Sequence, residues 1–283
     1  MITPVPSPPE VRFGAVLSAS WQLFVRNWTI ALPAVLAAFV VLALTCAYVA
    51  VLISMLGIAG WRAVIASPHG GDSSALAGVG VVALIGALVI VVASIVALLW
   101  AACATYGMAD AAWTRGTAVL ADGNAAFAAR AGAVVVATIG IVGLGIVALV
   151  LALPTLFLSL LALPLVTMFV FPAAVGGRFD GFGAIGESFR LVRRFFVPSL
   201  VTWLILYAIQ YGVSFLLTFA IVPLEFAAMP DRSTGVLQMP PVPLFAFSGI
   251  TYVVTILLLL AYNGFRATVE VGLFRELEAR PVA

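Results

Sequence analysis

Few side chains in this 283-residue chain have the chemistry of acid–base catalysis or metal binding. His69 is the single histidine, and together with Asp72 in the loop SPHGGDSS it forms the one grouping of Ser, His and Asp. A single histidine cannot build a multi-histidine metal site. The absence of lysine excludes Schiff-base and phosphate-loop lysine chemistry. We therefore expect no catalytic residue, no metal site and no cofactor.

Polar side chains also interrupt an apolar run near the end of the chain. They recur at spacings of three and four, so they share one face of a helix. These residues are Tyr207, Gln210, Tyr211, Ser214 and Thr218. The next apolar run offers hydrogen-bonding partners at Ser248, Tyr252, Thr255 and Asn263. This polar stripe could line a path through a membrane or hold a lipid headgroup, although hydrogen bonding between helices is the ordinary role of such residues.

Arginine and aromatic residues are concentrated in two similar segments, FGAVLSASWQLFVRNW from Phe13 and GFGAIGESFRLVRRFF from Gly181. In both segments apolar residues recur every three or four positions, which predicts a helix with one apolar face. Such helices lie in the headgroup plane of a membrane. We expect contacts with lipid headgroups, including anionic ones, from Arg26, Arg190, Arg193 and Arg194.

The two segments align once a single residue is skipped, and each precedes a long apolar run. A weaker version, DGNAAFAARAGAVVV from Asp122, precedes another. This pattern predicts an internal repeat of three units, each an interfacial helix followed by a transmembrane hairpin. The alternative is that membrane interfaces select aromatic residues and arginine wherever a span begins.

Composition identifies the class of protein. Hydrophobic residues make up 64% of the chain, charged residues 8%, and the mean hydropathy is +1.25, whereas soluble domains carry about 25% charged residues. Crossing about 30 Å of hydrocarbon takes roughly 20 helical residues, and six charge-free runs are that long. They cover residues 28–53, 76–105, 132–153, 155–175, 199–222 and 244–264. We predict an all-α polytopic membrane protein, with six transmembrane helices in three hairpins and no ionic group buried.

The arginines predict the orientation and the organisation of the chain. Eleven of the 13 basic residues fall on one side of the six spans, which places both termini in the cytoplasm of an inner-membrane protein. We divide a single domain, 1–283, into an N-terminal arm and amphipathic helix (1–27), hairpin one (28–105), a loop plus hairpin two (106–175), an amphipathic helix plus hairpin three (176–264) and an amphipathic tail (265–283).

Pro164 should kink the fourth span. Asp110 with Arg115, and Glu187 with Arg190, are expected to form surface ion pairs.

The run FPAAVGGRFDGFGAIGESFRLVRRFFVPSLVTWLI, from Phe171 to Ile205, resembles the bacterial six-span membrane domain found in some glycerophosphoryl diester phosphodiesterases and in stand-alone membrane proteins. In that family a span that ends in proline is followed by an amphipathic segment with Ser and Arg, and then by another span. In that family the phosphodiesterase activity belongs to a separate soluble domain, so the resemblance implies no catalytic residue in these spans. The resemblance therefore implies a membrane module that anchors, organises or assists other membrane or lipid processes.

Together these features predict a non-catalytic module of the inner membrane that associates with lipids or with a membrane-protein partner. A net charge of +2 gives no basis for a nucleic-acid partner. The alternative is a transporter or lipid-translocating protein whose path uses the polar stripe.

Overall fold

Helices form nearly all of the described chain. The computed structural model describes residues 13–66, 73–177, 179–227 and 242–280. The elements are α1 (Phe13–Arg26), a 3₁₀ turn (Trp28–Ala31), α2 (Leu32–Ala66), α3 (Ser73–Arg115), α4 (Leu120–Val150), α5 (Leu158–Val166), α6 (Val170–Val175), α7 (Gly181–Arg194), α8 (Phe196–Ala227) and α9 (Val242–Glu278).

Six helical stretches are long and apolar enough to cross a membrane. They are Trp28–Ile58, Gly80–Arg115, Leu120–Val150, Leu158–Val175, Phe196–Leu216 and Ala246–Glu278. No β-strand occurs among the described residues. The predicted class, all-α with six membrane-crossing helices, is therefore confirmed. The physical reason is that long charge-free runs satisfy their backbone hydrogen bonds only as helices when no water is present.

The chain forms two compact units. The first contains residues 33–102, which are most of α2 and the larger part of α3. In it, Tyr48 donates a hydrogen bond to the backbone oxygen of Ala83 at 2.5 Å, and the Tyr48 ring lies against Gly86. The second unit holds the remaining helices, including α7, α8 and α9, and the end of α3 from Cys103.

α1 and α7 end in the same way. Both are 14 residues long, and the residue after each leaves the helical conformation with nearly equal angles: φ −121° and ψ 49° at Asn27, φ −119° and ψ 53° at Phe195. A long helix follows each break. Pro198 is the third residue of α8, a place in the first turn where proline is tolerated. Matching the two helices end to end, with no residue skipped, puts Ser20 opposite Ser188, and both side chains are fully buried.

The fourth membrane-crossing stretch is broken after Pro164. Helix α5 ends at Val166 and α6 begins at Val170, so the predicted kink is a full interruption. Ser188 of α7 satisfies the backbone there: its hydroxyl donates to the Val166 oxygen at 2.5 Å and accepts from the Phe169 amide at 3.1 Å. The break and α7 therefore hold each other in place.

The turn between α4 and α5 is apolar and provides its own hydrogen bonds. No charged residue occurs between Arg130 and Arg178, and Leu156 at the tip is 82% exposed. The Thr155 hydroxyl donates to the Leu151 oxygen at 2.6 Å, and the Ser159 hydroxyl donates to the Ala148 oxygen at 2.7 Å. Because backbone groups must be paired inside a bilayer, this turn can lie at the edge of the hydrocarbon, out of contact with bulk water.

We expect a cysteine at Thr155 to resist a membrane-impermeant maleimide added to either side of a membrane. The background protein would carry Cys46→Ala and Cys103→Ala, and Ala121→Cys, at the exposed start of α4 beside Asp122, provides the matched control. Labelling of intact and permeabilised vesicles measures the result. Efficient labelling of Thr155→Cys from one side would show that the turn emerges into water.

α9 bears on two expectations. It continues without interruption to Glu278, so the predicted boundary between the sixth span and the C-terminal tail, at 264/265, falls inside one helix. The expectation that no ionic group is buried is wrong, because Glu270 is 1% exposed and Glu187 is 6% exposed. Each carboxylate has an arginine partner on its own helix, and pairing is what makes a buried charge tolerable.

Candidate functional site

Glu270 is the centre of a buried polar cluster on α9. Its Oε1 atom accepts from Nε of Arg266 at 2.6 Å, one helical turn earlier. Its Oε2 atom accepts a short hydrogen bond from the hydroxyl of Tyr106 at the end of α3. Tyr106 in turn stacks on Phe171 of α6, with ring centroids 5.4 Å apart. The cluster therefore connects α3, α6 and α9.

Tyr262 extends this polar face by another turn. It lies four residues before Arg266, and its hydroxyl donates to the backbone oxygen of Leu206 on α8 at 2.8 Å. The spacing 262, 266 and 270 puts all three side chains on one face of α9. That face is turned toward α8.

A cavity of about 250 Å³ lies between α5, α8 and α9. Its polar wall contains Tyr207, Gln210, Tyr262, Arg266 and Glu270, and its apolar wall contains Pro164, Met168, Trp203 and Leu206. Trp203 and Tyr207 stack with ring centroids 5.0 Å apart. The cavity thus places an ion pair beside aromatic and aliphatic surface, within a segment of α8 apolar enough to span a membrane.

Two polar groups of this cavity have no hydrogen-bond partner for some of their donors within the described ranges. The guanidinium of Arg266 uses Nε for Glu270, and no acceptor for its two Nη nitrogens is found among the described residues. The side-chain amide of Gln210 likewise has no hydrogen-bond partner in the described part of the chain. Both side chains are partly exposed, so their donors are open to a polar ligand that enters the cavity.

The structure separates the five residues of the predicted polar stripe. Tyr207 and Gln210 line the cavity. Tyr207 donates a hydrogen bond to the Tyr211 hydroxyl at 2.8 Å, but Tyr211 itself is 57% exposed. Ser214 is half-buried and Thr218 is exposed on the α8 surface. Part of the stripe therefore lines the cavity, whereas the rest lies on or near the outer surface of α8.

The arginines predicted to contact headgroups lie at helix ends. Arg26 is the exposed last residue of α1. On α7, Arg190 pairs with Glu187 at 2.6 and 2.8 Å, and this hydrogen bonding raises the pKa of Arg190. The partners are those predicted, but the Glu187 carboxylate is buried and does not lie at the surface. Arg193 and Arg194 are also exposed. All three α7 arginines border an open groove of about 430 Å³ together with Gly186 and Phe189.

Asp110 has a different partner from the one predicted. It binds Arg275 of α9, with Nη2 to Oδ1 at 2.6 Å, and the same nitrogen donates to the Thr114 hydroxyl at 2.6 Å. Arg115 instead pairs with Asp122 at 2.6 Å. Both pairs are solvent-accessible in part, and neither lines the cavity between α5, α8 and α9.

His69 and Asp72 lie outside the described residues. Among the residues that are described, no group of three or more His, Cys, Asp or Glu side chains is arranged to hold a metal ion.

Sequence reasoning missed the Tyr106, Tyr262, Arg266 and Glu270 cluster because the sixth span was ended before the first charge. The signal was the four-residue spacing of Tyr262, Arg266 and Glu270, in a segment whose remaining residues are mostly apolar. Tyr106 lies 164 residues before Glu270 in the chain, so no spacing pattern connects it to the other three residues.

No protein-family model, no curated protein and no solved structure matches the chain, so the resemblance of residues 171–205 stays a prediction.

Proposed function

We propose that the protein is a non-catalytic module of the bacterial inner membrane that associates with lipid headgroups. The observation that carries the proposal is the division of α7 into a protein-facing side and an exposed aromatic and arginine side. This role agrees with what the resemblance of residues 171–205 implies.

The two sides of α7 differ in burial. Ala184, Ser188 and Leu191 are buried against neighbouring helices, whereas Phe182 and Phe189 are 65% and 54% exposed. Residues seven apart lie two turns along the same face of a helix. An exposed phenylalanine stripe on a helix of a membrane protein is suited to the acyl boundary of a leaflet.

Arginine surrounds this stripe. Arg190, Arg193 and Arg194 border one open groove with Phe189. Each arginine near an anionic surface contributes about 1 kcal/mol of attraction. We propose that α7, and Arg26 at the end of α1, contact anionic headgroups in the cytoplasmic leaflet.

The orientation rests on the distribution of basic residues. With the termini in the cytoplasm, one side of the membrane receives Arg62 and Arg232 and the other side receives the remaining eleven. An excess of arginine on the cytoplasmic side is the general rule for inner-membrane proteins.

A threefold internal repeat is part of the proposal. It is supported by the matching ends of α1 and α7 and by three similar contacts. Trp21 of α1 packs on Phe265 of α9, Gly123 of α4 lies against Ala104 of α3, and Ser188 of α7 binds the α5–α6 break. In each contact an interfacial segment packs on the second helix of another hairpin. The weaker copy, which starts at Asp122, differs from the other two because it continues into its span as a single helix, α4.

Replacing Arg190, Arg193 and Arg194 together by Gln should remove the protein's preference for anionic lipid. At about 1 kcal/mol for each arginine, we expect affinity for phosphatidylglycerol to fall at least about tenfold, while affinity for phosphatidylcholine stays the same. Lipid titration followed by native mass spectrometry and by thermal unfolding measures both.

The matched control removes three arginines elsewhere, as Arg115→Gln, Arg275→Gln and Arg280→Gln. They pair with Asp122 of α4, Asp110 of α3 and Glu276 of α9, respectively, and the phosphatidylglycerol preference should survive. An unchanged preference in the α7 variant would contradict headgroup contact by α7.

Transport or lipid translocation is a second candidate function. The observation that favours it is the cavity that contains Tyr207 and Gln210 of the polar stripe. It predicts that Gln210→Leu abolishes uptake, efflux or lipid flipping in a protein that still folds. Normal movement of the substrate in that variant would count against it.

A further inference from the structure

The cavity between α5, α8 and α9 combines a guanidinium that is only partly used with apolar and aromatic walls. We propose that this cavity binds the phosphate group of a membrane lipid, through the Nη nitrogens of Arg266 and the side-chain amide of Gln210. The proposal rests on the proposed lipid association but concerns a site separate from α7.

Arg266 has the geometry for an anion. Its Nε atom is held by Glu270 at 2.6 Å, which fixes the guanidinium, and its Nη nitrogens have no acceptor among the described residues. A guanidinium presents paired donors that match phosphate oxygens. Its side chain is 36% exposed whereas that of Glu270 is 1% exposed. Both side chains line the cavity, and a ligand would meet mainly the more exposed cation.

The charge of the pair selects the kind of phosphate. Glu270 already balances Arg266, and both carboxylate oxygens are occupied, by Arg266 and by Tyr106. Each further negative charge in this setting is uncompensated and costly. A phosphodiester carries one charge, whereas a phosphate with a second ionisation near pH 6 carries nearly two. The site therefore favours the phosphodiester of a lipid over free phosphate.

The remaining walls fit the rest of a lipid headgroup. Gln210 offers amide donors at one part of the wall, and Trp203, Met168 and Pro164 offer apolar surface. A volume of about 250 Å³ is below that of a typical drug-sized pocket. The cavity is therefore large enough for a lipid headgroup but not for a whole lipid.

The test is a lipid titration of the purified protein by native mass spectrometry. The probes are dioleoyl phosphatidylglycerol, dioleoylglycerol with the same chains and no phosphate, and inorganic phosphate as a competitor. The test variant is Arg266→Gln with Glu270→Gln, which removes both charges and leaves amides of similar size. Asp110→Asn with Arg275→Gln is the matched control, because it removes an ion pair that includes α9 but does not line the cavity.

We expect one saturable phosphatidylglycerol site in the natural protein and in the control variant. In the test variant the affinity of this site should fall at least about tenfold, because a charge-assisted hydrogen bond is lost. The natural protein and both variants should bind dioleoylglycerol equally weakly. Gln210→Leu, which keeps the ion pair, should also weaken the site. Equal phosphatidylglycerol affinity in the natural protein and both cavity variants would overturn the proposal. Displacement of phosphatidylglycerol by millimolar inorganic phosphate would show that the site binds free phosphate, and would overturn its assignment to a lipid.

The α7 variant separates this proposal from the proposed function. With Arg190, Arg193 and Arg194 replaced, the general preference for anionic lipid should disappear while the single saturable site remains. Loss of that site in the α7 variant, together with its persistence in the cavity variants, would place it on α7.

Discussion

Arg266→Gln alone should lower the free energy of unfolding by about 2–4 kcal/mol. The change leaves the carboxylate of Glu270, 1% exposed, without its cation, and breaking a buried pair in this way is more costly than removing both partners. The expected loss is below the full cost of a buried pair because a third of the Arg266 side chain is exposed. Equilibrium unfolding in mixed micelles, followed by circular dichroism, measures it.

The double variant Arg266→Gln with Glu270→Gln should recover most of this loss, because no unpaired charge remains and Tyr106 keeps a hydrogen-bond acceptor. Asp110→Asn, at a pair whose side chains are each 37% exposed, should cost no more than about 1 kcal/mol. If the single Arg266 variant were as stable as the double variant, the ion pair would have no structural role.

Gly123→Leu should destabilise the protein by about 3 kcal/mol or more. A Cβ atom at this glycine of α4 would lie 2.9 Å from Cβ, 3.0 Å from the backbone oxygen and 3.1 Å from Cα of Ala104 on α3. Backbone atoms of a packed helix cannot move aside as a flexible side chain can, so α3 and α4 must separate. Thermal unfolding is measured with a thiol-reactive dye on the buried Cys103, in a Cys46→Ala background.

Gly132→Leu is the control for this substitution. Gly132 lies nine residues later on the same helix, and a Cβ atom there meets nothing within 4 Å. Leucine is also a better helix former than glycine, so this variant should be at least as stable as the natural protein. Equal unfolding temperatures for the two variants would show that α3 and α4 do not pack through Gly123.

The membrane-crossing helices could be predicted from the sequence because their signal is local. A run of apolar residues without charge must be helical in lipid, and six such runs are readable one by one. The last one is predicted to end at Gly264, before Arg266, since a charge normally ends a span. The helix itself continues to Glu278, and Arg266 and Glu270, one turn apart, form an ion pair within it. Such a pair is recognised in a sequence only when both residues are considered together.

The cavity could be predicted only in part. The three- and four-residue spacing placed Tyr207 and Gln210 on one face of α8, and that face does meet the cavity. The spacing could not predict which residues of other helices face Tyr207 and Gln210. Those neighbours are determined by contacts between distant parts of the chain, such as that of Tyr262 with Leu206, 56 residues apart. Tyr211 and Thr218 shared the pattern but lie on the surface, where no neighbour buries them.

The break after Pro164 shows the same limit. Proline predicted a distortion from its missing N–H group, but its extent depends on what replaces the lost hydrogen bonds. Here the hydroxyl of Ser188, from a separate helix, binds the backbone on both sides of the interruption. The hydrogen bonds from Ser188 therefore stabilise a full break between two helices where the proline alone predicts a kink.

The most direct test of lipid association is native mass spectrometry of the protein ejected from its own membranes without detergent exchange. We predict a protomer that keeps one phospholipid under activation strong enough to strip the bulk lipids, and a protein with Arg266→Gln and Glu270→Gln that loses it. A protomer that emerges bare under the mildest activation, or that retains only a lipid without phosphate, would contradict the account.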